Sequence, residues 1–176
     1  MDALPDLEPV NEAYASLPIA DAFNWQDASQ ALGDGEWYLV AFRSIRRADA
    51  DEIRLNTYDD LAHHEAAAAP GFVHYFKGPA APDGSCLSFC LWQSRAEARA
   101  ASGGTAHRQA VGILQEMYAQ YALEFHRVRR HAGGALTFEP YELSEPAPMA
   151  PPTTPDATPP VDGLLPGLTI RPAPAF

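Results

Sequence analysis

Basic residues and cysteines are scarce in this chain, and long apolar runs are missing. Twelve Lys and Arg stand against 23 Asp and Glu, a formal net charge of −11. Nucleic acid and anionic lipid are polyanions, so that balance works against both as partners. No window reaches the ~18 consecutive apolar residues of a membrane span. The opening MDALPDLEP lacks the basic start and apolar core of a signal peptide. Together these predict a soluble cytoplasmic protein. No G-x-S-x-G, P-loop, dinucleotide fingerprint or H-E-x-x-H is present, and no repeat recurs at a solenoid period. The two cysteines, Cys86 and Cys90, lie four apart in a predicted strand. At ~3.3 Å per residue their Cα atoms are ~13 Å apart, beyond disulfide reach, so they read as reduced core thiols.

What is present falls into three zones. The 176 residues suit one domain of roughly 100–150 residues with arms. Residues 1–35 are an acidic N-terminal extension with Tyr14, Leu17, Ile19, Phe23 and Trp25 as anchors that partly pack on the domain. Residues 36–143 hold the apolar periodicity of the domain. Residues 144–176 hold ten of the 17 prolines, which bias a chain toward extended conformations and predict a flexible tail. Its apolar residues Val161, Leu164, Leu165, Leu168 and Ile170 suit docking on the domain or on a neighbouring subunit.

Within the domain, EWYLVAFRSIRR (36–47) reads as a first strand. Residues 49–69 read as a helix, with Asp49, Asp51 and Glu52 at its positive end and Ile53, Thr57, Leu61, His64 and Ala68 as its stripe. Pro70 and Gly71 end it. Residues 72–78 and 85–93 read as strands joined by a hairpin at 80–84. Ser94 and Glu97 have capping-box spacing and begin a second helix. Gly103 and Gly104 interrupt it, Thr105 offers a new cap, and His107, Val111, Leu114, Tyr118 and Tyr121 form a stripe along the resumed helix. Residues 123–130 read as a fourth strand and 135–143 as a short fifth.

The order β-α-β-β-α-β predicts an α+β, ferredoxin-like antiparallel sheet with both helices on one face. The third strand, SCLSFCLW, is apolar on both parities, whereas a sheet with one wet face alternates. Something must cover the open face. A second copy, packed back to back in an isologous homodimer, is the leading expectation; a monomer whose arms fold over the sheet is the competing one.

The element order, the GFVHYFKG second strand and the step from Trp92 through Ser94 into a helix carrying His107 resemble dimeric α/β-barrel proteins of the antibiotic-biosynthesis-monooxygenase type. The resemblance covers about residues 36–143 and looks closest to uncharacterised members. It implies a pocket between sheet and helices that takes a small apolar or aromatic molecule. It also implies, as one activity of the group, cofactor-independent oxygenation of phenolic or quinol substrates. Haem-degrading relatives hold iron with a helix histidine beside a strand tryptophan and a first-strand asparagine. His107 and Trp92 match two of these, and residues 36–44 contain no asparagine.

His107 is the leading candidate base, since imidazole titrates near neutrality. His74 and Arg43 are candidates to orient the substrate or stabilise its anion. Trp92, His126, Tyr75 and Tyr118 are candidate substrate-binding residues. Each has a plainer reading: an arginine opposite Glu124 is most often a structural ion pair, and a strand histidine a satisfied core residue. His63, His64 and Glu65 are adjacent on a helix and diverge, so no metal site is assigned. The leading reading is a cofactor-independent, monooxygenase-like enzyme. A noncatalytic binding or interaction protein and a haem protein are the alternatives.

Overall fold

In the computed structural model the described residues run from 3 to 141. The proline-rich tail expected at 144–176, and the end of the expected fifth strand, lie outside them. Strand β1 (Gly35–Arg46) is central, flanked by β3 (Ser85–Trp92) and β4 (Tyr118–Arg130). With β2 (Phe72–Phe76) beyond β3 and β5 (Leu136–Pro140) beyond β4, the order is β2-β3-β1-β4-β5, antiparallel throughout. The first four strands have the ferredoxin-like order expected from the sequence.

Register assigns the two faces. Leu39 lies opposite Leu91 and His126, and Ala41 opposite Phe89 and Glu124, on what is called here the outer face. Val40 lies opposite Cys90 and Phe125, and Ser44 opposite Cys86 and Tyr121, on the helix side. The outer face is covered by the chain's own N-terminal segment, the second of the two accounts weighed from the sequence. Leu4, Leu7, Tyr14, Ile19, Phe23 and Trp25 form one core cluster with Leu39, Ala41, Leu87, Phe89, Leu91 and Val128. Phe23 is the keystone: its ring meets Phe76 at 4.7 Å, Phe89 at 5.3 Å, Trp25 at 5.5 Å and Tyr14 at 5.6 Å. Short α1 (Trp25–Ala28) seats Trp25, whose indole N–H donates to the Ile19 carbonyl at 2.7 Å. Fully burying side chains of this size contributes about 1.5–3 kcal/mol each, so residues 3–32 are a layer of the domain and more than a partly packed arm. The N-terminal layer thus occupies apolar surface that the sequence reading assigned to a second copy.

The other face carries the helices. Asp51 caps α2 (Glu52–Ala67) by accepting from the Arg54 amide at 3.0 Å, whereas Asp49 turns away to pair with Arg47 at 2.9 Å. Two apolar stripes run along this helix, and the inward one is not the one expected. Ile53 is 83% exposed and Leu61 48%, while Leu55 is buried with Tyr58 against Ile113 and Met117. Ser94 caps α3 (Arg95–Ala101) as its spacing predicts, accepting from the Glu97 amide at 3.3 Å and donating to the Glu97 carboxylate at 2.9 Å. That carboxylate lies where a Cβ of Gly71 would stand, and Gly71 has φ +76°, a backbone conformation that calls for glycine.

Helix α4 (Thr105–Gly112) is not capped by Thr105. Gly104 is its N-cap, and the Glu65 carboxylate of α2 accepts from the Thr105 amide at 2.9 Å and the His107 amide at 3.0 Å. The carboxylate presses so close that a Cβ on Gly104 would overlap it. The resumed helix is also shorter than its stripe suggests. It ends at Gly112, one further turn forms α5 (Leu114–Met117), and Tyr118 and Tyr121 belong to β4. Ladder pairing with β1 overrides helical spacing here, Tyr121 lying opposite Ser44. Val111, expected to face inward, is 50% exposed.

Candidate functional site

Pairing with β1, across an irregularity between Ile45 and Arg46, sets the parity of β4 from Gln120 onward. Tyr121, Leu123 and Phe125 project to the helix side beside Phe42 and Val40 of β1, building a floor with an aromatic group at each end. At one end Tyr121 lies 6.5 Å from Phe42 and 5.5 Å from Tyr118. At the other, Tyr38 stacks on Phe125 at 6.1 Å and meets Tyr141 edge-on at 5.2 Å. Val40 and Leu123 lie between, and Leu123 is 47% exposed. Large apolar side chains left this open on a shared face are the mark of a contact surface.

Phenols border the floor. Burial pushes the Tyr118 hydroxyl up to about 12, and raises Tyr121 as well. Burial also raises Tyr38, with the nearby Arg95 guanidinium pulling it the other way. All remain protonated donors at neutral pH. Beneath α2, the Tyr75 hydroxyl donates to Asp59 at 2.6 Å, and Asp59 and Asp60 take Lys77 at 2.9 and 2.6 Å. These bonds fix α2 to β2.

The residues singled out from the sequence divide between the two faces. His107 is half-buried in the helix layer, and burial lowers its imidazole below the ordinary value while Glu65 opposes that shift. It is therefore neutral at pH 7 and able to accept a proton. Trp92 belongs to the helix side but is closed in: it is 4% exposed, with Phe72 edge-on at 5.4 Å. Tyr118 borders the floor, and Tyr75 lies under α2.

His74, Arg43 and His126 face the opposite side of the sheet, so they do not share a cavity with His107. His74 is 4% exposed and packs on Phe89 at 5.7 Å. Arg43 pairs with Glu124 and donates to the carbonyls of Ala15 and Leu17, both at 2.6 Å. It holds the N-terminal layer down. His126 lies 3.4 Å from Glu124 in the same network. The floor residues Val40, Phe42, Leu123 and Phe125 and the neighbouring Arg95 were not among the candidates. Their signal was the alternation YxLxF in 121–125, which is regular from Tyr121 onward, past the register shift that follows Tyr118. Among the described residues no three His, Cys, Asp or Glu side chains converge as a metal site.

Comparison with known proteins gives two kinds of match. Among solved structures, the chain is similar to Rv0793 from Mycobacterium tuberculosis (19% identity, TM-score 0.45, 51% of this chain and 91% of that one). It is also similar to SnoaB, a cofactor-independent oxygenase from Streptomyces nogalater (16%, TM-score 0.41, 52% and 91%). A third is a dimeric ferredoxin-like protein of unknown function from Thermobifida fusca (17%, TM-score 0.43, 52% and 90%). No curated protein matches. The family match reaches further, running over residues 1–140 and so taking in the N-terminal layer together with the sheet and helices. On that match the chain belongs to the PB2B2.08-like family.

Proposed function

We propose that this protein binds a flat, apolar or aromatic small molecule on the helix side of its sheet, and oxygenates it without a cofactor. The observation that carries the reading is the half-open floor of Val40, Phe42, Leu123 and Phe125 between two aromatic groups. Ring faces and aliphatic side chains favour a planar hydrocarbon body, and the bordering phenols donate to its oxygens. His107, neutral at pH 7, takes a proton from the ring methylene of a phenol's keto tautomer, as in anthrone. The carbanion reduces dioxygen; a ring methylene ends as a carbonyl and the second oxygen atom leaves as water. Electron-rich substrates of this kind supply all four electrons, so no cofactor is required. The expected homodimer would use the free edge of β4, a reading supported by the covered outer face.

The test is saturable binding of 1-naphthol and anthrone, read by ligand fluorescence, in wild type, Leu123→Asp and His107→Ala, with oxygen uptake measured in parallel. The reading expects binding in wild type and His107→Ala, at least a tenfold loss in Leu123→Asp, and anthrone-dependent uptake only where His107 is present. Absence of binding overturns it. Binding without uptake leaves the noncatalytic binding protein.

A further inference from the structure

We infer that Arg95 is an anion-recognising residue of this floor, so that the ligand carries an acidic group, a carboxylate or an ionised phenol, on its aromatic body. The inference rests on the binding site proposed above and adds the ligand's chemical class.

The argument begins with charge balance. In a chain with nearly twice as many acidic as basic residues, most arginines find a carboxylate. Arg43 takes Glu124, Arg46 takes Glu52, Arg47 takes Asp49, Arg54 takes Glu116, Arg127 and Arg129 share Glu36, and Arg130 takes Asp34. Among the described residues Arg95, Arg99 and Arg108 have no carboxylate within ion-pair distance, and of these three Arg95 is the one on the ring of Tyr141. Its position sharpens the contrast. Two guanidinium groups approach the Tyr141 ring, each 5.4 Å from its centroid: Arg127 and Arg95. Arg127 is neutralised by Glu36 at 3.1 Å and Glu139 at 3.8 Å. Arg95, with no such neighbour among the described residues, brings a positive charge to the Tyr38–Phe125–Tyr141 end of the floor, near enough to oppose the effect of burial on the Tyr38 hydroxyl.

Arg95 is half-buried, and a guanidinium held on an aromatic ring keeps its in-plane N–H donors free for a planar anion. A ligand lying along Val40 and Leu123 with its acidic group toward Tyr38 would satisfy Arg95 and stack its rings on Phe125 at once. Stabilising a phenolate or enolate in this way would also favour the proton loss that begins the proposed oxygenation.

The test compares 1-naphthoate with the neutral, near-isosteric 1-naphthamide by isothermal titration of the full chain. Wild type should bind naphthoate about tenfold tighter or better, the scale of a charge-assisted hydrogen bond, and the preference should shrink as salt rises. Arg95→Gln should abolish the preference by weakening naphthoate alone, with naphthamide binding as a check that the variant is folded. Arg99→Gln, which removes an equal charge from the exposed part of the same helix, should leave the preference intact. Equal affinities in wild type, an unchanged preference in Arg95→Gln, or the same loss in Arg99→Gln would overturn the role of Arg95 while leaving the floor as a binding site. Failure of both ligands to bind would overturn the floor itself, and the inference with it.

Discussion

Glu65 shows how much one side chain can organise. It lies in the last turn of α2 and serves as the cap that α4 lacks, accepting backbone amides at 2.9 and 3.0 Å. Those amide hydrogen bonds hold its carboxyl below the ordinary carboxylate range, His107 contributing the largest effect. The folded state thus binds this proton less readily than the unfolded state, where the group titrates near about 4.3. Its stabilisation is complete above that value and is lost as pH falls through the depressed folded value. In urea denaturation followed from pH 7 to pH 3, Glu65→Gln should show a shallower acid loss of stability than wild type. Parallel curves would mean the cap contributes nothing. Gly104 was legible from the sequence as a break, but not its reason, because the group that crowds it comes from 39 positions earlier in the chain.

Among the elements, β4 determines most. Its last residues pair with β5, His126 opposite Pro140 through Arg130 opposite Leu136, whereas 119–123 are exposed and outside that ladder. YAQYAL (118–123) carries neither charge nor proline, the devices that usually keep an edge strand from pairing. On a chain of net charge −11, this is where a second copy can approach without repulsion. Light scattering after gel filtration should give a dimer for wild type and a monomer for the double variant Gln120→Lys, Ala122→Lys; a wild-type monomer at high micromolar concentration would contradict the edge assignment. The strands, hairpin and capping box could be read from local pattern because each depends on neighbours in sequence. The helix faces could not. Residues 53, 57 and 61 and residues 55, 58 and 62 both have helical spacing, and only the packing of Leu55 and Tyr58 on Ile113 and Met117 chooses between them. The same ambiguity carried Tyr118 and Tyr121 into a helix and hid the parity of the floor.

For the whole molecule, the decisive feature is that residues 3–32 form a third layer. The sequence showed that both faces of β3 are apolar, and therefore that both are covered, but hydrophobicity does not say by what. Phe23 and Trp25 do, once they meet Phe89. Sealing the outer face separates His74, Arg43 and His126 from the helix side, where the proposed binding floor lies. This division is tested most directly by methyl correlation spectra of leucine- and valine-labelled protein titrated with 1-naphthoate. The account predicts that Leu123 and Val40 shift first and saturate together while Leu39, Leu87 and Leu91 stay in place. Saturating shifts confined to Leu39, Leu87 and Leu91, with Leu123 unmoved, would contradict it.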